Sequence, residues 1–365
     1  MDRGKRPCFS VANKNSERFM QLEEIIREKA LQYLPAKSVR RCTGVCKDWK
    51  LHISTLIFAH RQSNSFQELS GFFCRSFASL PTFVSLDPQA YGVPDPSLMF
   101  LPEKVAILSS SYGLLCCQGQ TGYRPYYVCN PVTQQWKKIP RPAAKHGSNP
   151  AIVLVFKPSL LNFVADFKLV CAYKSVYLGG YEFEIYSSKD NSWRTSREVF
   201  MANHKIIPGT GVHVDGIVYW LSKSCGIVGF DLRTDRSRVF DAYLLDYRAL
   251  AGVYLGEFRG KLCCGQIRGS TLIIEELDNP YYNTMEMDRE SEGWNAREII
   301  LGNFEFEKPL AGRWLMFLGG NFAIVQCGRE MVSCDLNSKD VNLLSNEAEE
   351  NPVVTVPYVN TLVEM

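Results

Sequence analysis

The groups in this chain best suited to chemistry are its 13 cysteines and 5 histidines. Regularly paired thiolates hold zinc or form disulfides, and closely spaced imidazoles hold a catalytic metal. The spacing here supports neither. No Cys-x-x-Cys occurs, the nearest regular pair is Cys42 and Cys46, and the doublets Cys116/Cys117 and Cys263/Cys264 sit inside apolar, strand-like runs. His52, His60, His146, His204 and His213 share no metal-ligand spacing, and His213 alternates with Val212 and Val214 as a strand residue would. There is no Gly-x-Ser-x-Gly elbow, no His-Glu-x-x-His helix and no phosphate-binding or dinucleotide loop. The expectation is no catalytic residue, no metal site and no cofactor. Met1 to Ser10 is polar and basic, without the apolar core of a signal peptide. The thiols are therefore expected to be reduced and mostly buried, and the protein to be cytoplasmic, nuclear or both.

What remains is surface chemistry. The 365 residues carry 41 Lys/Arg and 38 Asp/Glu, a net of +3, too little to imply a nucleic-acid partner. No apolar run approaches the ~18 residues of a membrane span, so no membrane role is expected. The charge is uneven. Residues 1–61 hold 13 Lys/Arg and 6 Asp/Glu, a net of +7, whereas the remainder is net −4. A basic N-terminal region precedes a mildly acidic body, an arrangement that suits docking to an acidic partner.

The elements behind this asymmetry differ in period. Residues 1–16 are polar and read as a disordered tail. Residues 17–61 read as three short helices: Leu22, Ile25, Ile26, Ala30, Leu31 and Leu34 recur at helical spacing, and Pro35 breaks the pattern. A second helix fits Ala36 to about Val45, and a third carries Trp49, Ile53 and Leu56. Such a unit buries little and needs a neighbour or a partner. From residue 66 the period becomes 2, and glycines and aromatics punctuate short strands.

A turn element recurs at Asn130/Thr133/Trp136, Ser187/Asp190/Trp193, Asp231/Thr234/Ser237, Asp288/Ser291/Trp294 and Asp335/Ser338/Val341. The first side chain can hold a tight turn by bonding its own backbone, and the aromatic then starts the next strand and packs between sheets. A second element opens strands at Gly113, Gly216, Gly260 and Gly320, with a Gly-less copy at Phe167 to Val170. The spacing averages about 51 residues, near the ~50 of kelch-type propeller repeats. It divides residues 66–365 into close to six units. Val353 to Val359 is placed as the strand that closes the ring. The predicted fold is mainly β: a three-helix start and a kelch-like β-propeller of six blades.

Two segments resemble a known family. Leu34-Pro35-Ala36-Lys37-Ser38-Val39-Arg40-Arg41 followed by Val45-Cys46-Lys47-Asp48-Trp49 resembles the F-box of plant proteins. Gly113 to Cys117, Tyr127 to Pro140, Glu184 to Trp193 and Gly211 to Leu232 resemble the kelch-like F-box-associated domain. The first helix departs from the family pattern: a one-residue shift aligns Glu23-Glu24-Ile25-Ile26 better but requires an extra residue before Leu34. The resemblance implies a non-catalytic substrate receptor of a Skp–cullin–F-box ubiquitin ligase. Residues 17–61 would dock a Skp-family adaptor, and through it cullin and RING subunits, while residues 66–365 hold a protein substrate. It assigns Leu34, Pro35, Val39, Val45 and Trp49 to the adaptor-facing or supporting set, with Ile26 and Leu31 beside them. Lys37, Arg40, Arg41 and Lys47 could steer toward an acidic adaptor. The alternative is a non-ligase interaction propeller with a degenerate F-box. Substrate contacts are placed on the loops Gln118 to Pro125, Tyr177 to Tyr181 and Asp278 to Asn283, with Tyr247, Tyr281 and Tyr282 as aromatic anchors.

Overall fold

The computed structural model describes residues 22–75, 80–175, 179–201, 205–223, 226–241, 252–268, 271–280, 293–300, 313–319, 322–345 and 354–365. The expected tail 1–16 and the tyrosines Tyr247, Tyr281 and Tyr282 lie outside the described residues.

Four helices come first: α1 (Leu22–Ile25), α2 (Ala36–Cys42), α3 (Lys47–Ile53) and α4 (Leu56–Ser65). The expected third helix is two. Thr55 stops one and starts the next, its side chain accepting the Phe58 N–H at 3.1 Å as an N-cap. Between α1 and α2 the chain makes a wide turn over Ile26–Ala30, closed by Leu31 N–H on the Ile26 carbonyl. This π-type turn holds one residue more than an α-turn.

Strands fill the rest. Blade one is β3 (Val105–Ser111), β4 (Leu114–Gly119), β5 (Tyr126–Asn130) and β6 (Gln135–Lys138). Blade two is β7 (Ala151–Val155), β8 (Lys168–Lys174), β9 (Tyr181–Ser187) and β10 (Ser192–Phe200). Blade three is β11 (Val212–Val214), β12 (Ile217–Leu221), β13 (Gly226–Asp231) and β14 (Arg236–Asp241). Blade four is β15 (Tyr254–Phe258), β16 (Lys261–Arg268), β17 (Thr271–Leu277) and β18 (Trp294–Ile300). Blade five is β19 (Arg313–Gly319), β20 (Phe322–Cys327), β21 (Glu330–Asp335) and β22 (Val341–Ser345). Each is a four-stranded antiparallel sheet in chain order. The sixth sheet joins both ends of the propeller: β1 (Leu69–Arg75) lies between β2 (Thr82–Ser85) and the last strand, β23 (Val354–Val359). Phe73 pairs with Val356 and Phe72 with Pro357, so the ring closes where the sequence placed the closure.

The turn signature works as its chemistry suggests. Asn130 Oδ1 accepts Val132 N–H at 2.9 Å, Asp231 Oδ1 accepts Arg233 N–H at 2.8 Å, and Asp335 Oδ1 accepts Asn337 and Ser338 N–H at 2.8 Å. Each of these turns then has a left-handed residue, Gln134, Asp235 or Lys339. The aromatic behaves less uniformly. Trp193 packs on Tyr186 and Tyr126, but Trp136 is exposed and only edges onto Tyr127. The core lies between blades, as where Phe183 of blade two stacks on Phe230 of blade three at 4.2 Å. The cysteine doublets fill it as fully buried thiols.

The topology creates two faces. In each antiparallel blade the first-to-second and third-to-fourth turns lie on one side of the ring, and the second-to-third turns and interblade connections lie on the other. The helices occupy the first side. After β23 the chain runs on as a C-terminal tail, with Thr361 Oγ1 donating to the Tyr112 carbonyl and Asn130 Nδ2 donating to the carbonyls of Thr361 (3.1 Å) and Val363 (2.9 Å). The Tyr112–Gly113 turn admits the tail because Gly113, at φ +92°, has no side chain to meet Thr361.

Candidate functional site

The helical unit buries Leu31, Val39, Ile53 and Phe58 in its own small core, with Ile26, Leu34, Cys42 and Trp49 packed around it. Leu362 of the C-terminal tail joins this cluster. The rest of the support is polar. Ala36 N–H donates to the Asn360 carbonyl and Lys37 N–H to Asn360 Oδ1, both at 3.1 Å. Gln62, fully buried, donates to the Leu34 carbonyl at 2.9 Å and accepts Leu362 N–H at 2.8 Å. Lys37 and Arg41 are turned toward the propeller. Lys37 Nζ reaches the carbonyls of Pro88 and Tyr91, and Arg41 Nη1 that of Gln89 at 2.9 Å. Of the four cations, Arg40 and Lys47 stay exposed without such a bond among the described residues. Glu28 ties the first helical segment to α3 and α4 through His52 at 3.6 Å and Arg61 at 4.0 Å.

The five residues assigned to the adaptor split by depth. Val39 is 1% exposed and Pro35 is buried, so these two hold up the surface from beneath instead of forming it. Leu34 and Trp49 are half-buried at its edge, and Val45 is 59% exposed. Leu22 and Ile25 of the first helical pattern are also exposed, as are Tyr33, Leu51 and Ile57, large apolar side chains that spacing alone did not single out. Beside α4 the β7–β8 connection adds Leu160, Leu161, Phe163 and Val164, with Leu161 89% exposed. His60 connects the two regions, its Nε2 donating to the Ser159 carbonyl at 2.9 Å and its ring lying 4.5 Å from Phe163. Contiguous exposed apolar surface of this kind marks an interaction site.

The propeller encloses a central channel of about 640 Å³ lined by its innermost strands. Several of its polar groups are already engaged. Ser110 and Ser111 donate to the carbonyls of Pro357 and Phe156, and Ser109 accepts Leu154 N–H. Burial pushes His213 down to about 4, against the opposing pull of Asp215, and its Nε2 accepts Gly216 N–H at 3.1 Å. The imidazole is thus a neutral structural acceptor. Among the described residues no group of three or more His, Cys, Asp and Glu could hold a metal ion. No helix there is long and apolar enough to cross a membrane.

The side of the ring away from the helices carries two of the three expected substrate loops, Gln118 to Pro125 and the described end of Tyr177 to Tyr181. Asp278 begins a third-to-fourth turn and so lies on the helix side. A buried network that the sequence did not reveal lies behind the first loop. His146 Nε2 donates to Glu184 Oε2 at 2.8 Å, and its other nitrogen meets the Tyr126 hydroxyl at 3.0 Å. Glu184, 1% exposed, also accepts Ala143 N–H at 3.1 Å and Ala144 N–H at 3.3 Å. Burial would raise this carboxyl, but His146 and the two backbone N–H groups outweigh it and hold it below the ordinary range. A Glu within an otherwise buried strand and the lone His in a polar connection were the only sequence signals for this pair.

Comparison with known proteins decides the family. The β-propeller model described as "F-box protein At3g26010-like" matches residues 96–361, most of the chain. The chain belongs to this F-box propeller family. Relatives include the Arabidopsis thaliana F-box protein At5g49610, 28% identical over 240 residues that cover 58% of this chain and 62% of the relative. F-box only protein 6 from the same plant is 23% identical over 236 residues, covering 62% and 49%, and F-box protein At5g07610 is 27% identical over 297 residues, covering 73% and 67%. The match to the first two of these relatives spans only about half to three-fifths of their length.

Proposed function

We propose that this F-box propeller is the substrate receptor of a Skp–cullin–F-box ubiquitin ligase. The helices dock a Skp-family adaptor, which brings cullin and RING subunits, and the opposite side of the ring holds a protein substrate. The observation that carries the reading is the contrast within the helical unit. Its polar side is tied to the propeller through Lys37, Arg41, Gln62 and Asn360, while Val45, Leu51, Leu56 and Ile57 are exposed among the described residues. Full burial of such a side chain is worth about 1.5–3 kcal/mol, and a partner that covers these partly exposed ones gains a share of it. The apolar loop at Leu160 and Leu161 extends the same surface.

The test is capture of a purified plant Skp-family adaptor by the full chain. Wild type binds, and Val45→Arg with Leu51→Arg removes binding without lowering the melting temperature. A wild-type chain that fails to bind the adaptor overturns the ligase reading and favours a propeller acting outside the ligase.

A further inference from the structure

Blade one differs from the rest of the propeller in charge. Residues 99–150 carry six Lys/Arg and a single acid, Glu103, a net of +5 within a body that is otherwise acidic. Five of the six, Lys104, Arg124, Lys138, Arg141 and Lys145, are exposed, and none is in an ion pair within 4.0 Å among the described residues. They converge at the substrate side of the ring: the start of β3, the β4–β5 hairpin, the end of β6 and the connection to β7. At their centre Tyr123 is 48% exposed, with Lys138 Nζ and the Arg141 guanidinium each 5.5 Å from its ring centre.

The cations stand on rigid supports. In the hairpin, Glu103 accepts Thr121 N–H at 3.1 Å and the Tyr127 hydroxyl at 3.0 Å, and Arg124 N–H donates to the Thr121 carbonyl at 2.9 Å. Burial would raise the Glu103 carboxyl, but these hydrogen bonds and the charge of Lys138 hold it below its ordinary range. The connection bearing Arg141 and Lys145 is fixed by Glu184 on Ala143 and Ala144, by Trp193 Nε1 on the Pro140 carbonyl at 2.8 Å, and by Gln118 on the Gly147 carbonyl at 3.1 Å. A buried carboxylate thus holds a surface loop in place. Loops ordered before binding lose less entropy when a ligand arrives.

We propose that this surface of blade one recognises an acidic, Asp/Glu-rich segment of the protein substrate. The acidic chain runs across Tyr123, its carboxylates meeting Lys104, Arg124, Lys138, Arg141 and Lys145. A protein segment fits better than a nucleic acid because the strongest positive charge, net +5, falls within one blade and residues 251–365 are net −9, whereas nucleic-acid sites follow an extended basic track. The assignment rests on the substrate-receptor reading, since it names what that site selects.

The experiment uses the full chain and a fluorescein-labelled poly-Glu peptide, with poly-Gln and oligo(U) as competitors, read by anisotropy at low and at physiological salt. Poly-Glu binds and weakens as salt rises. Lys138→Glu with Arg141→Glu weakens it by at least about tenfold, and Tyr123→Ala weakens it severalfold. Lys189→Glu, on the helix side, has no effect. A second pair, Arg124→Glu with Lys145→Glu, gives the same loss without touching the Tyr123 contacts, and melting temperatures report on folding. Equal binding by wild type and both charge-reversed pairs overturns the proposal, as does displacement of poly-Glu by oligo(U) at lower concentration than by unlabelled poly-Glu. Adaptor capture is measured on the same variants. If it persists while peptide binding is absent even in wild type, the acidic-segment assignment fails and the receptor reading stands.

Discussion

The helical unit and the propeller solve opposite problems with the same residue types. The propeller hides its apolar side chains between blades: strands such as Leu114–Gly119 and Ile217–Leu221 are buried along their whole length. The helices gather four large apolar residues in a small core of their own, borrow Leu362 from the C-terminal tail and leave about half of their large apolar side chains exposed. One region is complete and the other is held in place while unfinished. An interaction module gains from this arrangement, because its orientation is set by the scaffold while its recognition surface stays open.

The largest test of the contrast removes the borrowed support. Ending the chain after Val359 deprives Asn130 of two acceptors and Gln62 of a partner, and it removes Leu362 and Val363 from their clusters. Buried groups left unpaired cost about 1–3 kcal/mol each, and lost burial adds about as much per side chain. A loss above ~4 kcal/mol in denaturant unfolding is expected, together with rapid proteolysis of the helices. An unchanged midpoint would mean that the tail is not a support.

Phe58→Ala is expected to destabilise by about 3–5 kcal/mol, within the helices alone. Hydrogen exchange would show α1 to α4 opening while the blades stay protected. Simultaneous opening of both would erase the distinction between the regions.

His213 provides a propeller counterpart. Its folded value near 4 lies below the ordinary value of 6.5, so the unfolded chain takes up the proton first as pH falls. The stabilisation is complete above about pH 6.5 and is lost progressively toward pH 4, at most about 3 kcal/mol. His213→Gln should flatten that part of the stability profile, and an unaltered slope would show that another group carries it.

The smallest expected change in stability, within ~0.5 kcal/mol, belongs to Val45→Arg with Leu51→Arg, because both side chains are already in water.

Much of this was legible in the sequence. The Asx-type turn residues and the paired left-handed positions such as Asp215–Gly216 announce themselves through local backbone chemistry, so the six blades and the closing strand could be placed. The wide turn at Ile26–Ala30 follows the first helical pattern and was not foreseen from spacing. What stayed hidden was long-range and polar. Nothing in the spacing of Lys37 and Arg41 distinguishes bonding to the carbonyls of residues 88–91 from pointing into solvent. Val39 carries the pattern of an F-box residue, but burial removes it from the surface. Glu184 and His146 are 38 residues apart, and only the packing of blade one against blade two brings them together.

The central claim is that the two sides of the molecule bind different partners independently. Its most direct measurement is a crossed comparison in one titration series, of adaptor and poly-Glu peptide against two double variants. Val45→Arg with Leu51→Arg should lose the adaptor and keep the peptide; Lys138→Glu with Arg141→Glu should lose the peptide and keep the adaptor. Loss of both ligands in either variant, or of neither in both, would contradict it.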